Sequence, residues 1–178
     1  MENAIEIRNL SKEYRDFSLK NLSLNVPRGT VLGLIGENGA GKSTLIQSML
    51  GLIKAEYEKI ELLGKQLRNQ EKEIKEDIAV IFDVSHYNPE YTPAFIGKML
   101  KKVYRNWDME KYDAYLSRFG LPSDKKLKKF SKGMKMKLEF AIAFSHKPRL
   151  LILDEATSGL DPVFRDEILE LILSLIHI

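Results

Sequence analysis

The sequence of 178 residues contains no cysteine and no long apolar run. Disulfides, thiolate catalysis and cysteine-ligated zinc sites are therefore excluded. No stretch approaches the roughly 20 apolar residues that a membrane-spanning helix needs, and the charged amino terminus does not resemble a signal peptide. The formal net charge is only +3, which is too small to indicate a nucleic acid partner. We therefore expect a cytoplasmic protein whose role at a membrane, if it has one, depends on a partner.

The most informative motif is a glycine-rich run of the form G-x-x-x-x-G-K-[ST], a phosphate-binding loop. Its glycines allow a tight turn in which backbone N–H groups approach phosphate oxygens. Lys42 adds a positive charge for the β- and γ-phosphates, and the Ser43 hydroxyl can bind Mg²⁺. The residues expected to bind nucleotide phosphates are Gly36, Asn38, Gly39, Ala40, Gly41, Lys42, Ser43 and Thr44.

The sequence on both sides of this loop favours a functional motif. Residues 30–35 form a short apolar run, which predicts a buried strand. Residues 44–52 have apolar side chains at helical spacing, and Gly51 predicts the end of that helix. The alternative interpretation is a glycine-rich surface turn, but a strand, a glycine-rich turn and a helix are the context that the motif requires.

A second acidic site follows the apolar residues 150–153. Asp154 ends this predicted strand and is expected to lie near Mg²⁺, directly or through water. Glu155 follows it and can orient the water that attacks the γ-phosphate or accept its proton. Glu155 and Lys42 are the predicted catalytic residues. The alternative is a pair of ordinary acids at the end of a strand.

The remaining pattern predicts the class α/β, with a central parallel strand at residues 78–82 and a helical insertion. Residues 84–130 contain no strand signal, so they form the insertion, and residues 84–93 read as a loop. Strands are predicted at 4–8, 22–26, 57–63, 78–82 and 150–153. Helices are predicted at 94–104, 109–119 and 131–145 and from residue 162 onward.

Three further segments occur in a specific order. Residues 130–134 read FSKGM and precede Asp154 by about 20 residues, residues 158–161 read SGLD, and Tyr14 lies near the amino terminus. Together with the phosphate loop and the acidic strand end, they make the chain resemble the nucleotide-binding domain of an ATP-binding cassette (ABC) transporter. The resemblance extends from about residue 3 to residue 173, and other phosphate-loop classes, such as small kinases and GTPases, lack these segments.

The resemblance implies one ABC ATPase domain over residues 1–178, with a RecA-like core at about 1–83 and 131–178 and a helical subdomain at about 84–130. The implied fold is that of an α/β P-loop NTPase with a mostly parallel central sheet, an N-terminal antiparallel β subdomain and a helical insertion. It implies that Tyr14 stacks on adenine, while Ser131 and Gly133 contact the γ-phosphate held by a second subunit. Two such domains would meet head to tail, as a homodimer or a heterodimer, with Asp161 at their interface. The implied ligands are ATP and Mg²⁺.

The function that the resemblance implies is ATP binding and hydrolysis that power transport by a separate integral membrane subunit. We favour an exporter-type cassette on the cytoplasmic face of the cell membrane. In this interpretation, residues 84–93 would contact the membrane subunit. One alternative is a soluble ABC-type ATPase with no link to transport. Another is a nucleotide-binding module without turnover.

Three positions depart from the family pattern. Asp83 follows the central strand where the family usually has Gln, and we expect it to approach the metal with altered affinity; the alternative is an acid at a strand end with no role. In the signature segment, Lys132 stands where Gly is usual and Met134 where Gln is usual. These substitutions weaken the match without breaking it, because Ser131 and Gly133 are present.

The chain also ends earlier than the family pattern. Only 23 residues follow Glu155 (178 − 155), and the strand that carries the family's switch histidine is missing. His177 falls inside the predicted last helix, so we reject it for that role. We therefore expect a C-terminally truncated domain that binds ATP weakly and hydrolyses it poorly. The other two histidines, His86 and His146, lack partners at metal-ligand spacing and are expected to pack or to face solvent.

Overall fold

The computed structural model describes residues 2–156 and 160–176, which divide into two compact units. The first unit extends to Lys75, and the second runs from Glu76 to Ser174. The strands are β1 (Asn3–Glu13), β2 (Ser18–Pro27), β3 (Lys59–Leu62), β4 (Lys65–Gln66), β5 (Ile78–Phe82) and β6 (Leu150–Asp154). The helices are α1 (Lys42–Met49), α2 (Leu67–Asp77), α3 (Pro93–Leu100), α4 (Met109–Arg118), α5 (Lys132–Ser145) and α6 (Pro162–Ile176), and a 3₁₀ turn spans Leu127–Lys129. The described helices include none with the length and apolar composition of a membrane span.

The first unit contains an antiparallel sheet in the order β2-β1-β3-β4. Ile7 of β1 lies opposite Leu24 on one side and Ile60 on the other. Ile7 and Leu62 are fully buried, so alternate residues of β1 and β3 form the apolar face of the sheet. The predicted N-terminal antiparallel region is confirmed, and its two long strands extend beyond the predicted bounds.

Helix α1 follows the phosphate loop and ends just before Gly51, as the sequence predicts. Gly51 has φ +70°, a left-handed conformation that glycine adopts without the cost imposed by a Cβ atom. The Leu52 N–H donates to the Gln47 carbonyl at 2.9 Å and the Gly51 N–H to that of Ser48 at 3.1 Å. These two bonds form a Schellman motif, which satisfies carbonyls that the helix leaves unpaired.

The strand predicted at residues 30–35 is wrong. These residues belong to no strand in the described structure, and their side chains are exposed, with Ile35 at 99% of its full accessibility. An apolar run indicates a preference for burial, but a strand forms only where neighbouring backbone supplies hydrogen-bond partners. No such ladder forms here, so the run between Gly29 and the phosphate loop has no regular secondary structure.

The second unit contains a parallel pair, β5 and β6, as predicted for residues 78–82 and 150–153. Both strands are rich in aliphatic side chains, which suits strands of a parallel sheet covered on their faces. In the register, Ile78 lies opposite Leu150 and Phe82 lies opposite Asp154. The carboxyl ends of the two strands are therefore side by side.

Residues 84–130 form the predicted helical segment, and no strand lies within them. Thr92 caps α3 by accepting a hydrogen bond from the Phe95 N–H at 3.2 Å, and Asp108 caps α4 in the same way from Lys111 at 3.0 Å. Gly97 allows close packing of the two helices, because a Cβ atom there would lie 2.6 Å from the Tyr112 ring. Helix α3 ends at Leu100, earlier than predicted.

Helix α5 passes through the core of the second unit. Leu138, Phe140 and Ala141 are fully buried in it. His146 follows the helix and is also buried, with Nε2 3.0 Å from the Ile78 carbonyl oxygen and its ring stacked on Tyr104 at 4.3 Å. His146 is therefore a packing residue, which is the role that the sequence favours.

Candidate nucleotide-binding site

The phosphate loop is a tight, exposed turn that its glycines make possible. Gly39 and Gly41 have φ +86° and +93°, where side chains with a Cβ atom are strained. The Ala40 N–H donates to the Glu37 carbonyl at 3.1 Å and closes the turn. Residues 36–40 are exposed, so a ligand can reach their backbone. The loop enters α1 at Gly41, and the helix dipole favours an anion there.

Lys42, the first residue of α1, reaches back across the loop. Its Nζ donates to the carbonyl oxygens of Gly36 at 2.8 Å and of Glu37 at 2.9 Å. The ammonium group therefore lies over the turn whose N–H groups are available to phosphate oxygens. Ser43 follows at the exposed start of the helix and Thr44 is partly buried. The structure thus brings the predicted phosphate-binding residues together in one loop.

Tyr14 lies at the turn between β1 and β2, in the same unit as the phosphate loop. Its side chain is about half exposed (48%). The Lys12 ammonium lies 5.0 Å from the ring centroid, a cation–π contact that orients the ring. The Phe17 ring is its aromatic neighbour, with centroids 6.5 Å apart.

The predicted acidic residues gather at the carboxyl ends of β5 and β6. Asp154 is the last residue of β6 and lies opposite Phe82, so Asp83 directly follows the residue that pairs with it. Asp154 is partly buried, whereas Asp83 and Glu155 are exposed. Glu155 has φ +54°, a conformation that is uncommon for residues with a Cβ atom and is concentrated at functional sites.

The donor set suits Mg²⁺ bound with a nucleotide better than a metal held by protein alone. Within residues 2–156 and 160–176, no three His, Asp or Glu side chains gather closely enough to hold a metal ion. Mg²⁺ is typically bound through one or two carboxylates together with substrate phosphates and water. In the second unit, Asp154 and Asp83 supply hard oxygen ligands of that kind.

Ser131 caps the amino end of α5. Its hydroxyl oxygen accepts a hydrogen bond from the Met134 N–H at 3.1 Å. Because the oxygen acts as acceptor in this cap, the hydroxyl hydrogen can still be donated to an anion. Ser131 is exposed, and Gly133 lies in the first turn of the helix. The predicted signature segment is therefore placed at a helix start, whose dipole favours negative charge.

Part of the SGLD segment lies outside the described residues. Ser158 and Gly159 belong to that part. His177, elsewhere in the chain, also lies outside the described residues. Asp161 is described, and its Oδ1 accepts a hydrogen bond from the Phe164 N–H at 2.9 Å at the start of α6. Its other carboxylate oxygen lies 3.9 Å from Lys137 Nζ. Asp161 therefore has a structural role in this chain in addition to any role at an interface.

Glu139 is a residue that sequence analysis did not single out. It lies on α5 between Leu138 and Phe140, and burial raises the pKa of its carboxyl group, while Ser85 and His86 act in the opposite direction. Ser85 and His86 follow Asp83, so the carboxylate faces the segment after β5. Its signal in the sequence is an acid between two apolar residues of a helix.

Glu139→Gln is expected to stabilise the protein at neutral pH. A carboxyl whose pKa is raised by folding binds more protons in the folded than in the unfolded state, so its contribution to stability falls as pH rises from about 4.3 through the folded pKa. Glutamine avoids this loss, which amounts to about 1.4 kcal/mol per unit of pKa difference. Urea unfolding between pH 4 and 8 measures the effect.

The matched control for this prediction is Glu170→Gln, which removes the same charge from an exposed position in the middle of α6. We expect the advantage of Glu139→Gln to be largest near pH 7 and to vanish towards pH 4, while Glu170→Gln stays close to the parent. Equal free energies of unfolding for Glu139→Gln and the parent at pH 7 would contradict the prediction.

Comparison with known proteins agrees with this geometry. The family model for ABC transporters matches residues 19–158. The chain is 38% identical over 178 residues to a bacitracin transport ATP-binding protein of Bacillus licheniformis, covering 98% of this chain and 58% of that protein. It is 35% identical to a lantibiotic transport ATP-binding protein of Streptococcus pyogenes, covering 94% of this chain and 73% of that protein.

The chain spans little more than half the length of several relatives. One of them is an uncharacterized ABC transporter ATP-binding protein of Bacillus subtilis, which is 37% identical over 163 residues. That match covers 86% of this chain and 52% of the relative. Among solved structures, the ATP-binding subunit of an ABC transporter superposes with a TM-score of 0.88 at 29% identity, over 98% of this chain and 75% of that one. The predicted α/β P-loop fold is thereby confirmed. The family match covers most of the sequence, so this chain belongs to the ABC transporter family and contains an ATP-binding domain of that family.

Proposed function

We propose that this chain binds and hydrolyses ATP and that it powers transport by a separate integral membrane subunit, as the cassette of an exporter. The observation that carries the proposal is the phosphate loop, in which Lys42 lies across a turn held by two glycines at positive φ. ATP-binding domains of the ABC transporter family hydrolyse ATP, and the match to that family includes this loop.

Each predicted site residue has a role in the proposed reaction. Tyr14 stacks on the adenine base, and the loop from Gly36 to Thr44 binds the phosphates with Lys42 as the neutralising cation. Ser43 and Asp154 would bind Mg²⁺, which neutralises the charge of the phosphates when it is bound. Glu155 orients the attacking water and accepts its proton. The exposure of Glu155 and the geometry of the loop support these assignments.

Asp83 is the least conventional member of the proposed site. It lies at the same sheet edge as Asp154 because Phe82 and Asp154 are paired. A second carboxylate there adds negative charge beside a triphosphate, so ATP binding should depend more strongly on Mg²⁺. We therefore keep Asp83 as a proposed metal ligand, in place of the neutral glutamine of the family pattern.

A second nucleotide-binding domain completes the proposed site. Ser131 and Gly133 would contact the γ-phosphate held by a partner domain in a head-to-tail homodimer or heterodimer. The exposed hydroxyl of Ser131 at the start of α5 supports this role, because its hydrogen is available to a phosphate oxygen. Formation and release of such a dimer would drive the membrane subunit between its conformations.

The export direction and the cytoplasmic membrane location rest on the relatives. One is a bacitracin transport ATP-binding protein, one is a lantibiotic transport ATP-binding protein, and one, from Rhizobium etli, is named as a Nod factor export ATP-binding protein. We infer a peripheral protein that associates with the cytoplasmic face of the membrane through its partner. The transported compound is set by that membrane subunit.

Co-purification tests the transport role. When the natural protein is tagged in its own cells and the membranes are solubilised in mild detergent, we expect an integral membrane protein to co-purify in stoichiometric amount. The Lys42→Ala variant is the matched control, since it should retain the membrane partner while losing ATP turnover. A protein that hydrolyses ATP but is found without any membrane partner would instead be a soluble ABC-type ATPase.

A further inference from the structure

The side chain of Phe17 lies directly on the phosphate loop. A Cβ atom built on Gly41 would be 2.5 Å from Phe17 Cζ and 2.9 Å from Leu19 Cδ2. Such distances mean that the aromatic ring occupies the space beside the Gly41 backbone, leaving room only for a hydrogen atom. Gly41 is also the residue at which the loop enters α1. Phe17 therefore packs on the junction that orients the first N–H groups of the helix.

The same residue belongs to the turn that carries Tyr14. The Tyr14 N–H donates to the Phe17 carbonyl at 2.8 Å and closes the hairpin between β1 and β2. The two rings lie 6.5 Å apart at an interplanar angle of 31°. Phe17 is partly buried while Tyr14 is exposed, so one ring is held by the protein and the other faces solvent. A single short turn thus contacts the phosphate loop and presents the proposed base-stacking residue.

We propose that Phe17 is a positioning residue that holds the phosphate loop at Gly41 and fixes its relation to Tyr14. This inference rests on the proposed ATP-binding function. A loop of exposed residues must be ordered when it binds an anion, and any order that the protein supplies beforehand reduces the cost of binding. The Phe17 ring supplies that order from outside the loop, through its contact with Gly41.

The proposal predicts a pattern that simple core packing does not produce. Tyr14 contacts only the base, so its loss should weaken binding of ATP but not of inorganic tripolyphosphate. Phe17 acts on the phosphate loop, so its loss should weaken binding of both ligands. A residue with a purely structural role would lower the melting temperature and leave the affinity of the folded protein for either ligand unchanged.

The experiment measures calorimetric binding of Mg²⁺–ATP and of Mg²⁺–tripolyphosphate to the full chain and its variants. For Phe17→Ala we expect both affinities to fall about tenfold, the equivalent of about 1.4 kcal/mol. For Tyr14→Ala we expect about a tenfold loss for ATP and an unchanged affinity for tripolyphosphate. Phe17→Met keeps an apolar side chain long enough to reach Gly41 without adding a group at the crowded ring tip, and it should retain most of both affinities.

Three outcomes would overturn the proposal. Tripolyphosphate binding by Phe17→Ala that equals the parent would remove the role of Phe17 while leaving the ATP-binding function intact. Affinities of Phe17→Met as low as those of Phe17→Ala would show that the apolar contact with Gly41 is not what positions the loop. A parent chain that binds neither ligand would overturn the proposed function and the role of Phe17 together. Should Phe17→Ala fail to fold, Phe17→Leu provides the same comparison with most of the apolar volume retained.

Discussion

Lys42→Ala is expected to abolish ATP hydrolysis and to remove most of the affinity for ATP. The Lys42 ammonium lies over the phosphate loop, where its charge would neutralise the phosphates in the ground state and in the transition state. Removing one preorganised donor from such a site typically lowers turnover by about 10²–10³-fold. Release of phosphate in the presence of Mg²⁺ and ATP, together with calorimetry, measures both effects.

The fold should survive this substitution. The loop that Lys42 bridges is exposed, and polar contacts at exposed positions contribute little to stability. Lys20→Ala is the matched control, because Lys20 is an exposed lysine on β2 in the same unit. We expect Lys20→Ala to behave like the parent in every assay. Hydrolysis by Lys42→Ala at the parental rate would contradict the assignment of the phosphate loop.

Glu155→Gln is expected to stop turnover while preserving nucleotide binding. Glutamine keeps the size and hydrogen-bonding shape of the side chain but cannot accept a proton from the attacking water. Loss of a general base typically costs about 10²–10⁴-fold in rate. Single-turnover hydrolysis and equilibrium ATP binding separate the two quantities.

The backbone conformation of Glu155 makes glutamine the appropriate replacement for this residue. Glu155 has φ +54°, so a β-branched replacement would add strain to any chemical effect. Glu170→Gln, at an exposed position on α6, controls for the loss of one negative charge. Undiminished turnover in Glu155→Gln would show that this carboxylate is not the base. Joint loss of binding and turnover would assign it to nucleotide binding instead.

Local patterns in the sequence were sufficient for much of the fold. Helix α1 was predictable because the apolar residues recur at helical spacing and Gly51 marks the end of the helix. Gly51 adopts the left-handed conformation that explains why glycine ends helices. Strands β5 and β6 were predictable because short apolar runs of four or five residues suit a parallel sheet. The pairing of Phe82 with Asp154 then follows from the register, which places Asp83 at the same edge.

The failures have a common physical cause. Residues 30–35 have the apolar composition of a strand but no ladder of backbone partners, and composition does not specify partners. Phe17 was not singled out because its importance depends on a contact with Gly41, more than 20 residues away in sequence. Glu139 was overlooked because its surroundings come from the segment after β5. Contacts between distant residues decide all three cases.

The exposed apolar stretch at residues 30–35 has a practical consequence for handling the protein. It presents Val31, Leu32 and Ile35 to solvent outside any strand of the described structure. Segments of this kind promote self-association between copies, because main-chain groups and aliphatic side chains of one molecule can pair with those of another. Light scattering should therefore accompany every rate measurement, and dilute samples will give the more faithful kinetics.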